Sequence, residues 1–187
     1  MLIDITLKLT PEMVQNDSAQ GNKALTGHLG THFDVMDREF PLEYTSRKAV
    51  VFDVSSVNTD EINICDIDLN KVHANMFVAF YSGYIEDHIY GTKEYYAGNR
   101  PLSYELIDAL LDKGVSIIGV DFGGIRLGKE HVPIDRKCAD RGTFVIENLC
   151  NLKTVVDNGG VFQAHTYPMN YVGSSGIPCR VIAEVDT

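Results

Sequence analysis

The alternation of hydrophobic and polar positions along the chain predicts strands that alternate with helices. Apolar and β-branched runs predict strands near residues 1–7, 48–57, 75–81, 115–122, 143–146, 160–164 and 178–185. Ser103 is placed to cap a helix that runs to about Lys113, and Gly114 is placed to end it. A polar stretch from Asn16 to Asn22 predicts a loop. Because a hydrophobic strand follows the helix directly, we expect an α/β fold.

One short polar stretch contains two of the six histidines, His28 and His32, together with Asp34. On a helix Asp34 would lie about 200° around the axis from His32, whereas in an extended chain all three side chains project to one side. A straight strand would still separate His28 from Asp34 by about 20 Å. Gly27 and Gly30 are therefore expected to bend the chain, so that the three side chains converge. Two surface histidines beside a turn would give the same spacing.

The residues from 28 to 38 resemble the signature H-x-G-T-H-x-D-x-P-x-H of the cyclase family of metal-dependent hydrolases, which includes bacterial kynurenine formamidases (arylformamidases) and isatin hydrolases. Five positions match it in place: His28, Gly30, Thr31, His32 and Asp34. Two positions differ. Met36 replaces the family's proline, and Arg38 replaces the histidine usually assigned there as the catalytic acid and base.

A second resemblance lies in G-T-F-V-I-E-N-L-C-N-L, where Glu147 occupies the position of a glutamate that completes the family's metal site. The family places a metal-binding histidine twelve residues earlier, and here that position is Asp135. Residues 130–141 predict a short helix that is interrupted near Pro133. On such a helix His131 would lie one turn before Asp135. His131 is therefore either a replacement ligand or an ordinary surface histidine.

The closing residues 176–185 resemble the family's last strand, so the resemblance extends from the opening I-D-I-T-L to the end of the chain. It implies an α/β fold of the cyclase type, a single mixed-sheet domain of the swivelling β/β/α class that covers residues 1–187. It also implies a homodimer or homotetramer with an active site near a subunit boundary.

The resemblance implies a metal site and a reaction. The expected metal ligands are His28, His32, Asp34, Asp135 and Glu147. Two imidazoles with carboxylates suit zinc or manganese better than calcium or magnesium. Such an ion would activate water to attack an amide or formamide carbonyl, with an N-formylkynurenine type of compound as the leading substrate. Arg38 and Glu147 are the candidate catalytic residues.

Arg38 leaves two hypotheses open. A guanidinium does not release its proton near neutral pH, so Arg38 cannot act as a general acid or base, although it can hold a carboxylate or stabilise an oxyanion. The protein is then either a metal-dependent hydrolase of an amide, formamide or small lactam, or a cyclase-fold protein that has lost catalysis. In the second case it would bind a small acidic ligand through Arg38.

Aromatic residues are concentrated after the strand that ends near Tyr81. They are Tyr84, His88, Tyr90, Tyr95 and Tyr96. Rings of this kind line a pocket for a planar substrate, form a subunit interface, or cover the core. With Arg38, the candidate substrate-binding residues are Tyr84 and His88.

Asp121 lies at the carboxyl end of the predicted strand 115–122, where sites in open α/β sheets tend to gather. The Gly123 and Gly124 pair that follows is not a nucleotide-binding fingerprint, because G-x-G-x-x-G is absent.

The composition excludes several classes of protein. The chain has 187 residues, of which 44% are hydrophobic, and a formal charge of -10. This charge argues against nucleic-acid binding, which depends on Lys and Arg. We see no signal peptide and no apolar run long enough to cross a membrane. The four cysteines are widely spread with no C-x-x-C pair, which favours reduced thiols. We expect a cytoplasmic protein that acts on a small molecule.

Overall fold

The structure is a computed structural model that describes residues 1–20 and 23–186, and within these residues eight strands form one sheet. The strands are β1 (Leu2–Asp4), β2 (His32–Asp34), β3 (Ser46–Asp53), β4 (Phe77–Tyr81), β5 (Ile117–Val120), β6 (Phe144–Glu147), β7 (Val161–Pro168) and β8 (Gly176–Glu184). The helices are α1 (Pro11–Gln20), α2 (Tyr84–Asp87), α3 (Lys93–Ala97), α4 (Tyr104–Lys113), α5 (His131–Asp140) and α6 (Leu152–Asp157).

The sheet is mixed and closes on itself. Its order is β1-β8-β2-β6-β5-β4-β3-β7, and β7 also pairs with β8, which closes a barrel. The four strands from β3 to β6 run parallel, whereas β2 pairs antiparallel with β6 and with β8. The predicted α/β fold with a mixed sheet is therefore confirmed.

Side chains alternate between two cores along the parallel strands. In β3, Ala49 and Val51 belong to one core, while Val50 and Phe52 belong to the other. The second core also contains the apolar faces of α4 and α5, and the first contains residues of α6. Because both faces of the sheet are covered, the parallel strands are continuous apolar runs. These runs are the pattern from which the strands were predicted.

The predicted helix from Ser103 is confirmed. The Ser103 hydroxyl accepts from the backbone N–H of Leu106 at the N-terminus of α4, and Gly114 ends the helix with a φ of 70°. The predicted interruption near Pro133 was wrong, because α5 continues through this residue. Pro133 lies in the first turn of the helix, where a missing backbone N–H removes no hydrogen bond within the helix.

One predicted loop differs from the structure. Residues 16–20 continue helix α1, and residues 21–22 lie outside the described part of the chain. The tyrosine-rich stretch forms α2 and α3, the second of which is capped by the Thr92 hydroxyl. Among residues 1–20 and 23–186, no helix combines the length and the apolar character needed to span a bilayer.

Candidate metal centre

The register of β2 against β6 places His32 directly opposite Glu147. Asp34 lies two residues further along β2 and so projects from the same face as His32. The His32 Nε2 atom is 3.6 Å from Glu147 Oε2 and 3.7 Å from Asp34 Oδ1. All three side chains are buried, with at most 4% of their residue surface exposed. The strand-like interpretation of this stretch thus agrees with the structure.

His28 reaches the same point because the chain bends before β2. Gly27 and Gly30 have φ angles of 79° and 74°, which glycine adopts readily. The bend brings His28 Nε2 to 3.2 Å from Asp34 Oδ1. A Cβ atom on Gly176 would lie 2.7 Å from the His28 ring, so this glycine of β8 provides the space for the imidazole.

Hydrogen bonds fix the orientation of His32. Its Nδ1 atom is 2.9 Å from the carbonyl oxygen of Gly30. A carbonyl only accepts, so Nδ1 carries the hydrogen and Nε2 presents its lone pair to the carboxylates. The same carbonyl accepts from the Asn148 side-chain amide, and Thr31 donates through its hydroxyl to the Asn148 carbonyl. Asn148, which we did not single out in the sequence, therefore ties the signature to the segment that follows β6.

Helix α5 supplies the other half of the cluster. His131 Nε2 lies 3.2 Å from Asp135 Oδ2 and 3.3 Å from Glu147 Oε1. His131 and Asp135 are four residues apart on one helix face, as predicted from their spacing. A Cβ atom on Gly124 would come within 2.5 Å of His131 Nδ1, so Gly124 allows the backbone to pass close to this ring.

The carboxylate oxygens of this cluster lack hydrogen-bond partners. Five of the six carboxylate oxygens of Asp34, Asp135 and Glu147 are buried and have none: both of Asp34, both of Asp135, and Oε1 of Glu147. Burial raises the pKa of Glu147 and of Asp135 well above their usual values, and the nearby Asp34 carboxylate raises both further. Asp34 keeps a lowered pKa although burial opposes it, because the His32 and His28 imidazoles favour its charged form.

The donor set fits a divalent cation. Burial lowers the pKa of His32 and of His131, which favours the neutral imidazoles that bind metals. Two groups each have ligand atoms that lie within 4.8 Å of one another. One group is His28, His32 and Asp34, and the other is Asp34, His131, Asp135 and Glu147. Ligand atoms around a tetrahedral ion with bonds of about 2 Å lie about 3.3 Å apart, close to the separations seen here.

A cavity of about 910 Å³ is lined in part by Lys23, Leu29, Tyr90 and Tyr96, and Leu29 directly follows the predicted ligand His28 in the sequence. The Tyr90 hydroxyl accepts from the backbone N–H of Gly30, which connects the cavity wall to the signature. The Lys23 Nζ atom lies 3.2 Å from the centre of the Tyr96 ring. Sequence reasoning missed Lys23 because it precedes the signature and belongs to no recognisable motif.

Lys23 is held next to a predicted ligand. Its carbonyl accepts from the His28 backbone N–H at 2.8 Å, and its own N–H donates to the Asp17 carboxylate. Burial lowers the pKa of Lys23, although the carboxylates of Glu147, Asp17 and Asp34 act in the opposite direction. Lys23 is thus a cation whose field reaches the cluster.

Three predicted residues do not join this arrangement. Arg38 lies on the surface beyond the turn that follows β2, and it forms an ion pair with Asp140. Tyr84 and His88 stack on each other with ring centres 4.0 Å apart, and neither is among the residues that line the cavity. Tyr90 and Tyr96, from the same stretch, line it instead.

Comparison with known proteins connects this geometry to a family. A family model described as putative cyclase matches residues 3–125, which is more than half of the 187-residue chain. The chain belongs to the cyclase family. The match includes His28, His32 and Asp34, whereas α5 and Glu147 lie beyond it. No match was found among the curated proteins.

Solved structures show the cyclase fold across nearly the whole chain. A potential metal-dependent hydrolase with cyclase activity is 22% identical, with a TM-score of 0.76 and 98% coverage of both chains. A predicted metal-dependent hydrolase from Bacillus stearothermophilus is also 22% identical, with a TM-score of 0.75 and coverage of 98% and 97%. Isatin hydrolase A from Ralstonia solanacearum is 20% identical, with a TM-score of 0.77, and the similarity covers 100% of this chain and 92% of that one. The TM-scores and the coverage establish the shared fold.

Proposed function

We propose that this protein is a metal-dependent hydrolase that cleaves the C–N bond of an amide, formamide or small lactam. The observation that carries the proposal is the cluster of His28, His32 and Asp34, in which both buried carboxylate oxygens of Asp34 have no hydrogen-bond partner. These three residues would hold the divalent cation, zinc or manganese. When bound, such an ion acidifies a water molecule and polarises a carbonyl group.

The protein's own residues prepare the site for this reaction. The Gly30 carbonyl holds His32 with its Nε2 lone pair towards the cluster. Glu147 turns Oε2 towards His32 and Oε1 towards His131. We assign Oε2 of Glu147 as the acceptor of the proton that the attacking water loses. A positioned carboxylate of this kind contributes about 10² to 10⁴ in rate.

The cavity indicates a planar substrate that carries a negative charge. Tyr90 and Tyr96 offer ring faces and edges, and Lys23 offers an ammonium group beside them. Lys23 therefore takes the anchoring role that sequence reasoning gave to Arg38. An arylformamide of the N-formylkynurenine type fits these features. Because several proteins of similar fold are isatin hydrolases, a fused aromatic lactam is the second substrate to test.

The experiment begins with purified protein from which a chelator has removed all metal. We expect no hydrolysis of N-formylkynurenine or isatin by this form, and hydrolysis after zinc or manganese is added. The His32→Ala variant should stay inactive, whereas Arg38→Ala should retain activity because Arg38 lies outside the cluster. Metal-loaded protein that hydrolyses neither compound, nor related amides, would overturn the proposal. Tight binding of benzoate by such an inert protein would favour the degenerate binding protein instead.

The anchoring role of Lys23 has a separate test. Lys23→Met should raise KM about tenfold for a substrate with a carboxylate and leave KM unchanged for its neutral methyl ester, because only the former loses an ion pair. Lys93→Met is the matched control, since Lys93 lines the same cavity but is exposed. Equal effects of Lys23→Met on both substrates would show that Lys23 does not recognise the charge.

A further inference from the structure

We infer that His131 replaces the metal-binding imidazole that the family signature has at position 135, so that His131 completes a second site for a divalent cation with Asp34, Asp135 and Glu147. This inference deepens the proposed function, but it concerns ion binding alone and is tested without reference to activity.

Positions 131 and 135 lie on the same face of helix α5, so side chains at both positions project towards the same carboxylates. Residues four apart on an α-helix project from one face. The shorter Asp135 side chain lies almost completely buried, and His131 reaches from the preceding turn to 3.2 Å from it. Glu147 Oε1 is at nearly the same distance, 3.3 Å, from the same Nε2 atom. The imidazole thus reaches the Glu147 carboxylate although position 135 holds an aspartate.

The unpaired oxygens argue against a purely structural role for this group. Asp135 has 1% of its surface exposed, and neither of its carboxylate oxygens has a hydrogen-bond partner. One imidazole nitrogen can donate to only one oxygen, whereas five oxygens in the cluster lack a partner. Buried carboxylates without donors are costly unless a cation compensates them. A second ion bound by Asp34, Asp135 and Glu147 would compensate the charge of all three carboxylates.

The backbone around His131 is shaped to admit the ring. Gly124 has a φ of 123°, and a side chain there would collide with the imidazole, since an added Cβ would be 2.5 Å from Nδ1. The second glycine of the Gly123 and Gly124 pair, which the proposed reaction does not explain, therefore makes the approach of His131 possible.

The two groups of ligands favour different ions. Two imidazoles and one carboxylate at the first group suit zinc, whereas three carboxylates and one imidazole at the second are richer in oxygen. Harder ions prefer such a set, so we expect manganese to bind at the second group more readily than zinc does.

The experiment counts ions. Metal-free protein is titrated with Mn²⁺ by calorimetry and by electron paramagnetic resonance, and crystals soaked in Mn²⁺ are measured at the manganese edge. We expect two ions per wild-type chain, with spectra that show coupled spins. His131→Ala should bind one ion, with affinity for the second reduced at least a hundredfold. His165→Ala is the control, since His165 pairs with Glu184 on the surface and this variant should still bind two.

A double variant sharpens the test. Combining His131→Ala with Asp135→His returns an imidazole to the family position and should restore the second ion. Circular dichroism checks that each variant folds, and His131→Gln replaces His131→Ala should the alanine variant unfold. One ion in the wild type, two ions in His131→Ala, or no recovery in the double variant would each overturn the inference. Inactivity of a protein that binds two ions would instead count against the proposed reaction alone.

Discussion

Two kinds of buried carboxylate occur in this protein, and their surroundings differ. Asp121 is 1% exposed, as are Asp34 and Asp135. Its Oδ1 accepts from the Ser82 hydroxyl, and its Oδ2 accepts from the backbone N–H groups of Ser82 and Gly83. In contrast, none of the oxygens of Asp34 and Asp135 has such a partner. At equal burial, both carboxylate oxygens of Asp121 accept hydrogen bonds, whereas those of Asp34 and Asp135 accept none.

The contrast separates a structural carboxylate from a candidate ligand. Asp121 lies at the carboxyl end of a parallel strand, the position that made it a candidate in the sequence, but its hydrogen bonds anchor the turn after β4. The cluster carboxylates face neutral imidazoles, and no N–H or O–H group satisfies them. A cation is the partner that such oxygens require. Unsatisfied oxygens beside imidazoles are thus better evidence for a metal site than burial or strand position.

Asp34→Asn should have the largest effect on metal binding, because Asp34 belongs to both groups of ligands. An amide is neutral and offers one oxygen in place of two, so we expect the affinity for both ions to fall at least a hundredfold. Calorimetric titration of metal-free protein measures this change.

The metal-free form of Asp34→Asn should be less stable than metal-free wild type, because the lowered pKa of Asp34 means that the folded protein favours its charged form over a neutral group. Urea unfolding in the presence of chelator provides that comparison. Metal affinity equal to that of the wild type would contradict the assignment of Asp34 as the shared ligand.

Gly176→Ala and Gly124→Ala should each weaken one half of the cluster, by about tenfold to a hundredfold in affinity, as outer-shell changes do at metal sites. An added methyl group at Gly176 would meet the His28 ring, and one at Gly124 would meet the His131 ring. Gly176→Ala should lower the affinity of the group that contains His28, and Gly124→Ala should lower the affinity of the group that contains His131. Titrations with zinc and manganese measure both affinities.

Gly128→Ala is the matched control for Gly124→Ala. Gly128 also has a positive φ, 57°, but an added Cβ would meet nothing within 4 Å. Its substitution should cost stability and leave both affinities unchanged. If Gly128→Ala lowered manganese affinity as much as Gly124→Ala does, backbone strain rather than contact with His131 would explain the effect.

The sequence predicted the strand-borne half of the site better than the helix-borne half. Periodicity of two and the two glycines were sufficient to gather His28, His32 and Asp34, because those constraints are local. The approach of Glu147 to His32 depends on pairing between strands more than a hundred residues apart, and the sequence suggested it only through family resemblance.

Other features were beyond local reasoning. The position of Lys23 depends on the Asp17 carboxylate and on the bend before His28, and no pattern of residues encodes either contact. Arg38 is adjacent to the signature in sequence, yet the turn after β2 directs it to Asp140 on the surface. The substrate, the identity of the metal and the oligomeric state stay predictions.

Asp121→Asn should have no effect on metal content, which makes it the sharpest control for the comparison. The amide can keep the hydrogen bonds by accepting from the two backbone N–H groups and donating to the Ser82 hydroxyl. Burial raises the pKa of Asp121 to about 6, although hydrogen bonds from Ser82 and Gly83 oppose the shift. The variant therefore removes only the cost of ionising this buried carboxyl group.

That cost gives a pH dependence with a defined sign. At pH values well below 3.8, Asp121 is protonated in the folded and unfolded states, and its favourable contribution is complete. As the pH rises from about 4 through about 6, the unfolded chain ionises first, so the folded state loses stability. The free energy of unfolding of the wild type, relative to Asp121→Asn, should fall by about 2 kcal/mol between pH 4 and pH 7. Urea unfolding of both metal-free proteins across this range measures the difference, and a difference that stays constant with pH would show that Asp121 titrates normally.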